Sequence, residues 1–195
     1  LIAQGIDLTP DRNNDVWLYP QGDRTAAPSA VLSDGCYFMN AIERCGEIDD
    51  SQMNPEDNLE EYGLVSDEEL DRFAARVETA AQTGRAVVAS FGGSALGDVA
   101  FVPGVSLRNP KGIRSVAEWY ISTLMRPDYI REVFSRQTDF AIANYRRLWE
   151  RCGDKIDVVF TCGTDFGTQN SQFCSPETFH ELWLPYYKRL NDWIH

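Results

Sequence analysis

Two short apolar runs, "RAVVASF" (Arg85 to Phe91) and "KIDVVFT" (Lys155 to Thr161), are rich in β-branched residues and are separated by helix-patterned sequence. Runs of this kind read as buried strands. Four helical segments surround them. Ser66 followed by Glu69 makes a capping-box pattern, and Leu70, Phe73, Val77 and Ala80 carry helical spacing up to a stop at Gly84. Ile113 to Met125 reads as a helix, and Pro127 opens a long one that Gly153 closes. Ser175 as N-cap, Pro176 at the first helical position and Glu177 near the positive dipole end start a last helix, which Pro185 is expected to kink. Strand, helix, helix, strand, helix argues a parallel sheet covered on both faces, an α/β class. Two strands do not decide whether such a sheet closes.

Residues 1–65 are irregular and turn-rich. Within them Asp15–Asp23 reads as a short strand ended by Pro20, and Gly35–Ile42 as a second strand that could pair with it. The acidic stretch Asp49–Gly63 is expected on the surface. The resulting division is an N-terminal part, 1–65, packed on β/α units at 66–195.

Composition narrows the function. A formal net charge of −12 with no basic run argues against nucleic acid and anionic membranes as partners. No apolar run is long enough to span a bilayer. Five cysteines at irregular spacing do not read as a disulfide framework, so a cytoplasmic location is expected. The chain lacks an initiator Met and stops at His195 while a helical pattern is still running, so an internal piece of a longer polypeptide is expected.

In α/β folds ligands sit at the carboxyl ends of strands. Two unusual loops occupy that position. "GGSALGD" (Gly92 to Asp98) lacks a dinucleotide fingerprint and the Lys-Ser/Thr of a P-loop. It reads better as a tight turn giving backbone room beside a pocket, with Gly92 and Gly93 as substrate-binding candidates. The second loop runs from Thr161 to Cys174. Asp165 sits just past a strand, where partial burial would tune it for acid–base work; alternatively it only fixes the loop by accepting backbone N–H bonds. Gln169 offers a donor and an acceptor, and Thr164 and Thr168 offer hydroxyls. Asp165 and Gln169 are therefore the catalytic candidates, Thr164 and Thr168 the substrate-binding ones. Cys162 and Cys174 read as small apolar thiols, His180 as a helix-face residue, and Trp183, Tyr186, Tyr187 and Trp193 as packing surface.

Three motifs recur in order: Asp-(any)-Gly-Thr-Gln at Asp165–Gln169, Ser-Pro-Glu-(any)-Phe at Ser175–Phe179, and Pro-Tyr-Tyr-Lys-Arg at Pro185–Arg189. Together they resemble the uroporphyrinogen decarboxylase-like superfamily, in particular its corrinoid methyltransferase-type members. The resemblance implies a (β/α)8 TIM-barrel type fold, of which this chain would be an incomplete internal fragment. It implies a methyltransferase moving a methyl group between a small methylated donor or thiol and a corrinoid carried by a partner protein, with zinc as cofactor. The family's His-(any)-Cys zinc motif is not present in this chain. A decarboxylase acting on a tetrapyrrole is the first alternative. The Ser-Trp-Ala-Gly of those decarboxylases is replaced here by "TDFGTQ", and their N-terminal Arg motif is missing. A non-enzymatic corrinoid- or tetrapyrrole-binding module is the second.

Overall fold

The computed structural model describes residues 8–161 and 163–195, and Cys162, singled out above, lies outside them. The chain divides into two compact units: residues 1–61 with 97–125, and residues 62–96 with 126–195.

The first unit holds a small antiparallel meander. Strand β1 (Val16–Leu18) pairs with β2 (Ala30–Leu32), which pairs with β3 (Asn40–Ala41). β1 stops at Leu18, and Pro20 opens a short 3-10 turn, Pro20–Gly22, within the span expected as strand. Gly35–Ile42 does not form one strand: only Asn40 and Ala41 pair, and their partner is β2. Gly35 has φ of +72°, and the turn it makes leaves Tyr37 94% exposed. Strand propensity at Tyr37, Phe38 and Met39 is overridden by that turn. Helix α2 (Val116–Met125) completes the unit.

The acidic stretch 49–63 is not all surface. Asn58 and Leu59 are buried. The Asn58 side chain makes a two-way clamp on Ile113, its Nδ2 donating to the Ile113 carbonyl and its Oδ1 accepting from the Ile113 N–H, both at 2.8 Å. Arg114, only 2% exposed, fills the space beside it. Its Nη1 donates to Glu61 at 2.6 Å, its Nη2 to the Asp57 carbonyl at 2.6 Å, and its Nε to the Lys111 carbonyl at 2.5 Å.

The second unit packs helix α1 (Asp67–Ala81), the 26-residue helix α3 (Pro127–Cys152), α4 (Pro176–Leu182) and α5 (Leu184–Ile194) around a two-stranded sheet. The Ser66 hydroxyl accepts from the Glu69 N–H at 3.2 Å, satisfying one of the orphan donors at the start of α1. Replacing Ser66 with alanine is expected to cost about 1 kcal/mol. Urea unfolding reads this, and an unchanged midpoint would count against the cap. α4 and α5 are separated at Trp183, with Pro185 in the first turn of α5, so the expected kink is a break between two helices.

Strands β4 (Val88–Ser90) and β5 (Val158–Phe160) are parallel, with Val88 opposite Val158 and Ser90 opposite Phe160. The core lies on one face of this pair. Val87 and Phe91 join Leu70 and Val77 of α1, Ala141, Tyr145, Leu148 and Cys152 of α3, and Leu190 of α5.

The expectation of a (β/α)8 TIM-barrel type fold is corrected here. Among the described residues there are five α-helices, one three-stranded antiparallel sheet and one two-stranded parallel sheet, and no closed barrel. A barrel strand needs a neighbour on each side; β4 and β5 each have one. Their other face is open too, with Val88 65% and Phe160 58% exposed. A continuous apolar run reports that a strand is uncharged, not how many neighbours it has. The residues before β4 form a separate antiparallel meander instead of further parallel strands. Among the described residues, no helix is long and apolar enough to cross a membrane.

Candidate functional site

Parallel pairing puts the carboxyl ends of β4 and β5 side by side, so the two loops singled out in the sequence leave the sheet at the same end. Thr164 ties them together. It is buried, and its Oγ1 donates to the Leu96 carbonyl at 3.3 Å and sits 2.6 Å from the Tyr187 hydroxyl. The same Leu96 carbonyl accepts from the Trp183 indole N–H at 2.9 Å. Thr164 is thus a linker between loop and helix α5.

Asp165 and Gln169 are both exposed. The partial burial expected for Asp165 falls on its neighbour Thr164. Phe166 then turns inward. Its ring lies edge-on to Phe179, Trp183 and Tyr187, with centroids 5.2, 5.5 and 6.5 Å away. That anchor holds the base of a hairpin in which the Phe173 N–H donates to the Phe166 carbonyl at 2.9 Å and Gly167 bridges Gln172. Gly167 is required there: a Cβ would come within 2.9 Å of the Ser171 carbonyl oxygen. The Thr168 N–H donates to the Ser171 carbonyl at 2.7 Å, and the Thr168 hydroxyl accepts from the Asn170 and Ser171 N–H groups at 3.2 Å each. Thr168 therefore shapes the turn, and Gln169 is presented at its tip.

The Gly-rich loop is pinned from inside. The Gln137 side chain donates to the Gly93 carbonyl at 3.1 Å, and the Tyr145 hydroxyl to the Phe91 carbonyl at 3.2 Å. Gly93 has φ of +102°, a conformation that side chains rarely adopt, and a Cβ there would meet Ala141 of α3 at 3.6 Å. Burial pushes the Tyr145 phenol above its ordinary pKa, so the hydroxyl stays a donor.

Three side chains central to this arrangement, Gln137, Trp183 and Tyr187, were not candidates from the sequence. Trp183 and Tyr187 read as packing residues, which they also are; only the polar tip of each reaches a loop. Nothing local to Gln137 marks it, since its partner is 44 positions away.

Burial also pushes the Cys174 thiol up, which disfavours the thiolate a nucleophile or metal ligand needs. His180 is exposed and touches the Phe179 ring. Among the described residues, no three His, Cys, Asp or Glu side chains come together as ligands. The residues described do not fit a zinc site. Compared with known proteins, the chain matches no family model, no curated protein and no solved structure.

Proposed function

We propose that this chain contributes the substrate-facing loops of a methyltransferase that moves a methyl group between a small methylated donor, or a thiol, and a corrinoid held by a partner protein. The observation that carries the reading is the placement of Asp165–Gln169. The segment whose sequence resembles the methyltransferase-type enzymes follows a parallel strand and stands beside the Gly-rich loop of its neighbour. Exposed Asp165 and Gln169 on a hairpin anchored by Phe166 meet the first need of such a site, polar groups on a fixed support.

Within this reading Asp165 accepts the proton of a thiol acceptor as its sulfur forms the new S–C bond, the donor–methyl bond breaks with its electron pair staying on the donor, and Gln169 hydrogen-bonds the substrate. No step is assigned to zinc, because the chain's described side chains do not converge on a metal.

The test follows thiol methylation with methylcobalamin as donor, read by loss of the methylcobalamin spectrum. Wild-type protein should consume it in the presence of a small thiol. Asp165→Ala should lower turnover by roughly 10²-fold, the usual scale for removing a positioned acid or base. It should leave the circular dichroism spectrum unchanged, since the side chain is exposed. Equal turnover in the variant would remove Asp165 from catalysis. The reading would be sunk if wild type neither consumed methylcobalamin with a thiol nor formed it from reduced cobalamin and a methylated amine.

A further inference from the structure

The first unit holds a cavity of about 260 Å³ between residues 45–57 and 110–113. Cys45, Ile48, Met53 and Ile113 give it apolar walls. Ile113 is buried, and the other three are half-buried. Burial, with Glu43 beside it, pushes the Cys45 thiol above its ordinary pKa, so it stays a neutral part of that wall. The charged residues lining the cavity are Glu47, Asp49, Asp57 and Lys111. Three acids against one Lys leave it net negative. The neighbouring Arg114 guanidinium does not restore the balance, because Glu61 and Glu60 answer it at 2.6 and 3.5 Å. A recess with low-dielectric walls and one dominant sign of charge concentrates counter-ions.

Both sides of the cavity are fixed without a ligand. On one side the Lys111 N–H donates to Glu60 at 3.1 Å, the Lys111 carbonyl accepts from Arg114, and the Asn58 clamp holds Ile113. Gly112 between them has φ of +77°, and a Cβ there would collide with the Asn58 side chain. On the other side Asp49 closes a turn. Its carboxylate accepts from the Ser51 hydroxyl and N–H at 2.7 and 2.9 Å, and its carbonyl from the Gln52 N–H at 3.0 Å. The two bonds from Ser51 hold the Asp49 carboxyl below its ordinary pKa, so it is charged at neutral pH.

We infer that this cavity binds a small organic ammonium ion, an amine on a short alkyl chain, with the chain against Met53 and Ile113 and the charge beside the acids. Apolar walls with a few charged groups are the usual make-up of a small-molecule site. A metal cation does not fit: among the described residues, no three His, Cys, Asp or Glu side chains come together as ligands. Size limits the chain, since at roughly 30 Å³ per water-sized group the space takes about nine non-hydrogen atoms. The site shares no residue with the methyl-transfer reading and stands without it.

The probe is n-butylammonium chloride, titrated at neutral pH and constant ionic strength into protein labelled with 13C at its methionine methyl groups. Of the three methionines, Met53 lines the cavity, and Met39 and Met125 do not, so they serve as internal references. A saturable shift of the Met53 methyl is expected, with both references still. Butylammonium should bind about tenfold more tightly than ethylammonium, because two more methylenes leave water. Butyrate, of like length and opposite charge, should leave the Met53 methyl unmoved. Asp57→Asn should weaken butylammonium binding by roughly threefold or more. The Asp57 carbonyl, which accepts from Arg114, is unchanged in that variant. No saturable shift at Met53, or butyrate binding as tightly as butylammonium, would overturn the proposal. So would equal affinity for ethylammonium and butylammonium. The wild-type titrations decide the matter even where Asp57→Asn fails to fold. They read no methyl transfer, so failure of the methyltransferase reading and failure of the amine site are separately visible.

Discussion

Trp183→Ala is expected to destabilise the second unit by about 3–5 kcal/mol, the range for truncating a buried large aromatic. Trp183 is fully buried, and it does two jobs. Its ring packs against Phe134 at 5.4 Å and Phe166 at 5.5 Å, joining α3 to the base of the hairpin. Its indole N–H satisfies the Leu96 carbonyl. The two contributions are separable. Trp183→Phe keeps much of the packing and removes the hydrogen bond, so it should lose less. It should still exceed about 1 kcal/mol, because a buried carbonyl then depends on the longer Thr164 bond. Urea unfolding followed by tryptophan-independent circular dichroism gives both values. Equal losses for Phe and Ala would mean that the ring contributes nothing, contrary to the packing described.

Arg114→Ala should be the most damaging single change in the first unit, at about 3 kcal/mol, the lower end of the range for breaking a buried ion pair. The lower end applies because Glu61 and Glu60 retain 18% and 29% side-chain exposure and can recover water. More is lost than charge. The guanidinium also donates to the Asp57 and Lys111 carbonyls, fastening 57–61 to 111–114. Arg114→Lys should recover little, since one ammonium cannot span acceptors that a planar fork reaches together. Hydrogen exchange at the Ile113 amide, which donates to Asn58 beside this knot, is the local readout. Faster exchange there is expected, and unchanged protection would show that Arg114 does not hold the segment.

What the sequence disclosed follows the range of the interactions involved. Ser66, Pro127 and Ser175 announced helix starts because caps act within four residues. β4 and β5, and the placing of both loops at one end of them, were legible from two apolar runs and a helical connection between them. The barrel was not there to be read: the number of neighbours a strand has is a non-local quantity. Asn58 read as part of an acidic surface and Arg114 only as a position in the Ile113–Met125 helix, because their partners lie more than 50 positions away. At the site, the residue types at 164, 165, 168 and 169 drew notice correctly as polar, but alternation in a loop does not say which side chain turns inward. Thr164 did, and Asp165 did not.

The division of the chain has a consequence for its synthesis. Neither unit is continuous. The segment 1–61 waits for 97–125, and the segment 62–96 waits for 126–195. At roughly 5–20 residues per second on the ribosome, the first unit spends several seconds with residues 57–61 made and Arg114 not yet joined to them. α1 and β4 wait longer still, since α3 and α5 carry most of the apolar surface that covers them. A nascent chain with these exposed intermediates would be a client for holding chaperones until α5 emerges, and the order of assembly would be first unit, then second.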